Sequence, residues 1–493
     1  MKNTKLIKTL STFSAEEVRD FRKFVDSPYF NREGKYVLRF YDELTKYHPA
    51  FEDLPARESL HTVVYEGKKY DDVIIRKMSS VLQKLAEEFM AYVTFSKLGI
   101  QKELISLRNF RERALGDSFE LKVNEMSKAL DNPVESIDLE HYRNKFRLEI
   151  EKINYFMESN SFVKEQRKSM EDVQLHVVCD SLMNLLDIAY NIHVGLTTMF
   201  ASESNIALKL LDLTSVEPFL KELKKASPND HAIIELFYLR YLSMVSFDDL
   251  TYKRFKRSAL KNLALFTRDN RFTMLVALQN FCIRKFVSGE RNYAVELHGI
   301  HKEMLKGGLL INERSGFINL SSYRNIILTA VNLRKFEWMD RFIDEYRERL
   351  LPDQRESVTA WARSTSLYSQ KKFEEALGEL HKVKNDHFLT KHDIRILQMK
   401  IYYELKDYDS AFSAADAYKK MVENDKVSSG LHKNSNRNFA SFYIRLIRYM
   451  SEGRHSDLGF LKHEIETTPC NSKEWFLERL ENEICKARPH GKP

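Results

Sequence analysis

The chain has 493 residues, of which 43% are hydrophobic and 12% aromatic, so it can bury a large core. Its 15 glycines and 10 prolines are together only about 5% of the residues, against about 12% in average proteins. This shortage disfavours a turn-rich β protein and predicts an all-α fold. The 78 basic and 71 acidic residues leave a net charge of +7, too small an excess for a generally basic nucleic-acid binder.

The distribution of cysteine and apolar residues predicts a cytoplasmic protein. The four cysteines are far apart in the sequence and form no CxxC pair, as expected in a reducing compartment. The first residues, MKNTKLIKTLSTFSAEE, lack the apolar stretch of a signal peptide. The window IAYNIHVGLTTMFAS (188–202) is free of charged residues, but it is shorter than the roughly 18–20 residues that cross a bilayer. We therefore expect no membrane insertion.

Residues 1–98 are predicted to form an N-terminal helical module. Ser14 and Glu17 in SAEE have the spacing of a capping box, which predicts a helix that runs to about Asp26. Pro28 then stops the helix, because the residue before a proline is pushed out of the α region. An apolar stripe with spacings of three and four predicts a long helix from Asp71 or Asp72. Its residues are Ile74, Met78, Leu82, Leu85 and Phe89.

This module carries a resemblance to known proteins. SPYFN (27–31) followed by GKKYDDVIIRKMSSVLQKLAEEFM (67–90) resembles the start of a family of Bacteroidota proteins of unknown activity. The resemblance covers about a fifth of the chain and implies a bacterial protein. Tyr29 and Phe30 are expected either to fold back into the core or to form an exposed docking pair.

Helices also account for the rest of the chain. Residues 99–320 are interpreted as an array of αα-hairpins with short connections. In 321–493 the helix pairs are predicted at 321–334 with 336–349, 356–370 with 372–384, 392–405 with 407–422, and 436–452 with 455–466. A last helix at 474–488 is expected to cap the array.

The C-terminal third repeats itself. The aromatic residue and the alanine at Phe373 and Ala376 in KKFEEALGEL recur 35 positions later as Tyr408 and Ala411 in KDYDSAFSAA. This pattern resembles a divergent tetratricopeptide repeat (TPR), whose unit is about 34 residues. The resemblance implies an αα-solenoid that binds a protein or peptide on the face lined by the first helix of each pair. The exposed positions on that face are expected to be Arg324, Asn332, Trp361, Tyr368, Lys400, Tyr403 and Tyr443.

A basic segment offers an alternative binding surface. Residues 251–271, TYKRFKRSALKNLALFTRDNR, hold one acidic residue and seven basic ones. Tyr252 and Phe255 are interleaved with the cations, as in sites that contact phosphates and stack bases. The segment is a candidate surface for nucleic acid or for an acidic protein, and the third interpretation is a solvated helix face. Its basic residues are Lys253, Arg254, Lys256, Arg257, Lys261, Arg268 and Arg271.

Enzymatic motifs are not expected to function here. Gly116, Asp117 and Ser118, followed by Asp138-x-x-His141, imitate the blocks of GDSL-type hydrolases. No strand precedes the serine, and Gly116 is interpreted instead as the end of a helix. His298-x-x-His301 places two metal ligands on one helix face, but a zinc site needs three or four. The sequence predicts no metal, no cofactor and no enzyme, and it favours a scaffold that binds a protein partner over a nucleic-acid-associated regulator.

Overall fold

The computed structural model describes residues 4–132, 136–159, 164–198, 205–313, 315–384, 388–425 and 430–487. Helices make up 79% of the structure, and the described residues contain no strand beyond two isolated bridges, Ile137 with Phe266 and Ile311 with Ile318. The prediction of an all-α fold is confirmed. No helix within these ranges has both the length and the apolar character needed to cross a membrane.

The chain divides into two compact units. Unit 1 contains residues 1–129 and 147–169, and unit 2 contains residues 130–146 and 170–493. The three-part division at 98/99 and 320/321 stays a prediction about which parts fold independently. Three helices contain residues of both units: α7 (Gly116–Asp131), α8 (His141–Glu158) and α9 (Lys164–Thr198).

Unit 1 is built around an aromatic core. Phe21 packs edge-on against Phe13 and Tyr41 and at a tilt against Phe89, with ring centroids 5.0–5.5 Å apart. The predicted capping box at Ser14 is present, and the predicted apolar stripe of α5 is buried apart from the half-buried Ile74. The helices are α1 (Lys5–Leu10), α2 (Ala15–Asp26), α3 (Lys35–Thr45), α4 (Arg57–Val64), α5 (Asp72–Ser96), α6 (Ile100–Glu112) and α7 (Gly116–Asp131).

Two local predictions in unit 1 need correction. Phe30 stacks on Phe24 at 3.9 Å, whereas Tyr29 is 80% exposed and touches Phe30 edge-on, so neither predicted arrangement holds for both aromatics. Gly116 does not end α6, because the left-handed position after that helix is taken by Ala114 (φ 55°) and Gly116 is the first residue of α7.

Unit 2 continues with helices that pack mainly against their neighbours in the chain. The four helix pairs and the last helix predicted beyond residue 320 are present with their ends within about four residues, except that the first helix of the fourth pair begins at Gly430 and not at 436. The helices are α10 (Ile206–Leu213), α11 (Val216–Ala226), α12 (Pro228–Ser246), α13 (Asp249–Asn262), α14 (Arg268–Val287), α15 (Tyr293–Lys306), α16 (Leu320–Asn332), α17 (Phe336–Tyr346), α18 (Arg355–Ser369), α19 (Phe373–Leu380), α20 (Phe388–Glu404), α21 (Tyr408–Glu423), α22 (Gly430–Ser451), α23 (Leu458–Thr467) and α24 (Lys473–Ala487).

The turns inside the last four helix pairs share one geometry. In each turn, a residue with a left-handed backbone lies two positions before the turn aromatic (Phe336, Phe373 or Tyr408) or before His455, which takes its place in the last pair. The residue after the left-handed one donates its backbone N–H to the carbonyl of the residue five positions before itself, at 2.8–3.0 Å. This is the Schellman motif, which satisfies carbonyls at a helix end. A side chain at positive φ is strained, so three non-glycine residues at equivalent positions indicate a common backbone. The left-handed residues are Arg334, Lys371, Lys406 and Gly453.

Candidate partner-binding surfaces

The face lined by the first helix of each pair is called the inner face below. The seven positions that were predicted to be exposed on it do not form an open surface. Trp361, Tyr403 and Tyr443 are 1%, 7% and 0% exposed, so the prediction that they are accessible is wrong. The reason is that the first helices of the pairs contact one another: α16 touches α18 and also α20, and α18 touches α20. Side chains between such closely packed helices are enclosed. Of the other four positions, Arg324, Tyr368 and Lys400 are half-buried and Asn332 is exposed.

Helix α24 covers part of this face. The ring of Trp475 packs edge-on against Tyr403 at 5.2 Å and lies nearly parallel to Tyr443 at 6.1 Å. Its indole N–H donates a hydrogen bond of 2.8 Å to the hydroxyl of Tyr368. A helix of the chain itself therefore contacts three of the side chains that were predicted to contact a partner.

Lys400 belongs to the same covered region. Its ammonium group donates a hydrogen bond of 2.9 Å to the hydroxyl of Ser472 and lies 5.7 Å from the ring of Trp475. Burial lowers the pKa of Lys400 to about 8, although the negative charge of Asp393 acts in the opposite direction. Lys400 is thus part of the packing between α20 and the start of α24.

Arg324 is engaged across the same face. Its guanidinium donates two hydrogen bonds to the carboxylate of Asp393 on α20, one of them 2.8 Å long. Burial alone would lower the pKa of Arg324, but the charge and hydrogen bonds of Asp393 outweigh it and raise that pKa. A bidentate pair of this kind fixes the distance between α16 and α20.

The basic segment 251–271 spans two helices, α13 and the start of α14. The prediction that Tyr252 and Phe255 can stack on bases is wrong, because they are 3% and 0% exposed. The Tyr252 ring stacks on Phe281 at 4.3 Å, and its hydroxyl donates to the carboxylate of Glu296 at 2.8 Å. Both aromatics thus belong to the core of unit 2.

The seven cations of this segment also separate into two groups. Lys256 forms an ion pair of 2.5 Å with Glu296, and the half-buried Arg268 donates to the carbonyl of Ile311 at 2.7 Å. Arg271 is half-buried as well. The remaining four cations are exposed and lie on α13: Lys253, Arg254, Arg257 and Lys261.

An open groove lies elsewhere, on the side of α18 that faces α17 and α19. It consists of two adjoining cavities of about 310 and 330 Å³, and Arg363 and Glu379 line both. Arg363 forms an ion pair of 2.9 Å with Asp344, and Asp340 accepts a hydrogen bond of 2.8 Å from Ser366. The groove is therefore bordered by charged side chains of both signs.

A third cavity, of about 440 Å³, lies between α20 and α21. Five of its eight lining residues stand 35 positions after residues that line the first groove, the same offset that relates Phe373 to Tyr408. The groove is thus a repeated feature. The equivalent pairs are Ala360 and Arg395, Arg363 and Gln398, Leu367 and Tyr402, Glu379 and Ala414, and Lys382 and Ala417.

The groove along α17–α19 and the cavity between α20 and α21 are called the outer grooves below. Sequence reasoning missed them, although the 35-residue repeat pointed to them. The 35-residue offset that identified the turn aromatics also relates Arg363 to Gln398 and Leu367 to Tyr402. Only the resemblance to TPR proteins directed attention to the inner face.

The histidines at 298 and 301 do not lie at the surface. His301 is 0% exposed, and its Nε2 shares a hydrogen bond of 2.9 Å with the side-chain oxygen of Gln279. His298 is 5% exposed and packs edge-on against Trp338 at 4.8 Å. Burial lowers the pKa of His298 to about 4 and that of His301 to about 3. Across the part of the chain that the structure describes, no three histidine, cysteine or acidic side chains group as metal ligands.

Comparison of the chain with protein-family models, with curated proteins and with solved structures finds no match. The structure thus offers three candidate surfaces: the inner face, which α24 partly covers, the exposed face of α13, and the repeated outer grooves.

Proposed function

We propose that this protein is a non-enzymatic scaffold of the bacterial cytoplasm that binds a protein or peptide partner. In this proposal unit 2 is an αα-solenoid, TPR-like in residues 321–493. The Schellman turns at Arg334, Lys371, Lys406 and Gly453 support it, because they place the same backbone geometry at equivalent points of successive helix pairs. Repeats of this kind stack into extended surfaces suited to elongated partners.

The observation that carries the proposal is the recurrence of the outer groove. Cavities at equivalent positions of two successive helix pairs offer a partner two equivalent contact sites. An extended peptide suits such an arrangement, because it advances about 3.3 Å per residue and can reach from one groove to the next. We therefore assign the partner to the outer grooves of α17–α21, in place of the inner face that the TPR resemblance implied.

The chemistry of the grooves indicates what the partner carries. The first groove presents Arg363 and Lys372 beside Asp340 and Asp344, whereas the cavity between α20 and α21 is lined mainly by small and uncharged side chains. A peptide with charged side chains at one end and small polar ones at the other fits this order. Arg363 is the expected hot spot, because arginine anchors commonly dominate the energy of such interfaces.

Site-specific photo-crosslinking tests the proposal. A photoreactive phenylalanine analogue replaces Gln370, at the edge of the first groove, and a second protein carries it at Tyr29, an exposed aromatic in unit 1. Both proteins are irradiated in nuclease-treated cell extract. We expect one dominant protein adduct from position 370 and none of that identity from position 29. Identical adducts at both positions, or no adduct at 370, contradict the assignment to the groove.

Binding of the crosslinked segment as a synthetic peptide gives the quantitative test. Arg363→Glu is expected to weaken binding about tenfold or more. Arg22→Glu is the matched control, because Arg22 also forms an exposed ion pair with an aspartate, Asp42, at 2.8 Å. Equal affinities of the two variants contradict a role of the groove.

A further inference from the structure

We infer that the exposed face of α13 is a second docking surface, which takes an acidic, leucine-containing segment of a protein. This inference does not depend on the outer grooves, and it still holds if no partner binds there. Its four exposed cations are Lys253, Arg254, Arg257 and Lys261. Three of them stand at i, i+4 and i+8, so they form one row roughly 12 Å long.

The cations in this row are not neutralised by the protein. Among the described residues, no carboxylate lies within ion-pair distance of Lys253, Arg257 or Lys261. Arg254, beside this row, does form an ion pair, with Glu235 at 3.5 Å. Asp249, one turn before Lys253, pairs with Lys285 at 2.7 Å, and its charge also acts on Lys253, so Arg257 and Lys261 are the least compensated cations of the row. Unneutralised charges on one face are complementary to a row of carboxylates at helical spacing.

Two leucines share the face with the cations. Leu250 is 71% exposed and Leu260 is 46% exposed. At 100° per residue they fall, with the four cations, within about a third of the helix circumference. A partner that covers this face must therefore offer both negative charge and apolar surface, with the apolar contacts near the two ends.

These leucines favour a protein segment over nucleic acid. A phosphate backbone satisfies cations but leaves Leu250 and Leu260 without apolar contacts. The aromatics that would stack on bases, Tyr252 and Phe255, are buried in the core. A nucleic acid is therefore complementary to only part of the face.

The same geometry disfavours a lipid surface. Helices that lie on membranes keep their cations on the side opposite the apolar residues that insert among the lipids. On α13 Lys253 and Arg257 lie between Leu250 and Leu260, and Lys261 directly follows Leu260. Insertion of either leucine would press the cations into the apolar region.

The test uses a synthetic peptide as the probe. It is acetylated and amidated, roughly 18 residues long so that it can hold a helix, and carries glutamates at i, i+4 and i+8 flanked by leucines on the same face. A matched peptide has glutamine in place of glutamate. The full-length protein is expected to bind the glutamate peptide at least tenfold more tightly, and added salt should weaken that binding because it screens exposed charges.

Variants of α13 decide whether this face is responsible. Lys253→Gln with Arg257→Gln and Lys261→Gln should remove most of the binding, and Leu250→Ala with Leu260→Ala should weaken it severalfold. The control is Lys224→Gln with Lys225→Gln on α11, another pair of exposed lysines. Thermal unfolding of each variant confirms that it is folded.

Four outcomes overturn the inference: no binding of the glutamate peptide, equal binding of the glutamine peptide, leucine variants that bind as the parent does, or tighter binding of another class of ligand. For the last, oligothymidylate and vesicles containing phosphatidylserine are titrated under the same conditions. Loss of the oligothymidylate signal in the lysine and arginine variant alone would assign the face to nucleic acid.

Discussion

The hydrogen bond from the indole of Trp475 to the hydroxyl of Tyr368 joins residues 107 positions apart. It connects α24, the last described helix, to α18, the first helix of the second helix pair beyond residue 320. The Trp475 side chain is only 8% exposed, and its neighbour Phe476 is fully buried. Helix α24 is therefore part of the core of unit 2 and more than a cover at its end.

This contact leads to a prediction about stability. Trp475→Ala is expected to reduce the free energy of unfolding of unit 2 by about 3–5 kcal/mol, because it opens a large cavity and leaves Tyr368 without its donor. Denaturant unfolding followed by far-UV circular dichroism measures the loss. Phe460→Ala on α23 is the control: Phe460 is 82% exposed, so its loss should change stability by no more than about 0.5 kcal/mol. A similar change in both variants would contradict the packing of α24.

The pair between Arg324 and Asp393 gives a second prediction. Arg324→Met and Asp393→Asn should each destabilise unit 2, because each leaves one half-buried charge without its partner. A double-mutant cycle on urea unfolding is expected to give a coupling energy of about 1–3 kcal/mol. A coupling near zero would mean that the pair does not connect α16 to α20.

Charge reversal at Arg324 together with Trp361→Ala is therefore expected to unfold unit 2. Trp361 is 1% exposed and packs in the core, so its truncation is not a surface change. The double variant should lose its cooperative thermal transition. A normal transition would restore the inner face as a candidate binding surface.

The buried histidines predict sensitivity to acid. The folded-state pKa of His298 is lowered to about 4 by burial and by the nearby charges of Lys335 and Lys302, from an ordinary value of 6.5. Because the unfolded state takes up the proton first, the stability present above pH 6.5 is lost as the pH falls toward 4. His301, whose folded-state pKa is about 3, acts in the same direction. Each histidine should lower the free energy of unfolding by about 1.4 kcal/mol for each pH unit of acidification within this window.

His298→Leu isolates this effect. The variant should show a smaller decrease in the free energy of unfolding between pH 6.5 and 4, by about 1.4 kcal/mol per pH unit, when urea unfolding is measured at a series of pH values. His463→Gln, at a side chain that is 81% exposed, should leave the slope unchanged. Parallel curves for the parent and the His298 variant would show that His298 does not stay neutral in the folded state.

Local patterns in the sequence were sufficient for the helices. The capping box at Ser14, the stripe that ends at Phe89 and the period that relates Phe373 to Tyr408 depend on residues near one another in the chain. Helix formation is governed by such short-range interactions, so the number, order and approximate ends of the last helices were predictable. The same patterns misplaced the end of α6, because Ala114 accepts a left-handed backbone that is typical of glycine.

Exposure was less predictable, because it depends on what packs against a side chain from elsewhere in the chain. Tyr252 and Phe255 were interpreted as a stacking platform, and Tyr403 and Tyr443 as ligand contacts, yet all four are buried. Helical periodicity identifies which residues share a face, but it does not say whether another helix covers that face.

The sequence by itself determined that this protein is helical, where its helix pairs lie beyond residue 320, and that no region is strongly enough charged or apolar to identify a partner. The tertiary structure decided which surfaces remain open. It closed the inner face through contacts among α16, α18, α20 and α24, and it left open the grooves along α17–α21 and the cationic face of α13. The physical reason is that helix formation depends on neighbours in sequence, whereas burial depends on contacts between residues far apart in the chain.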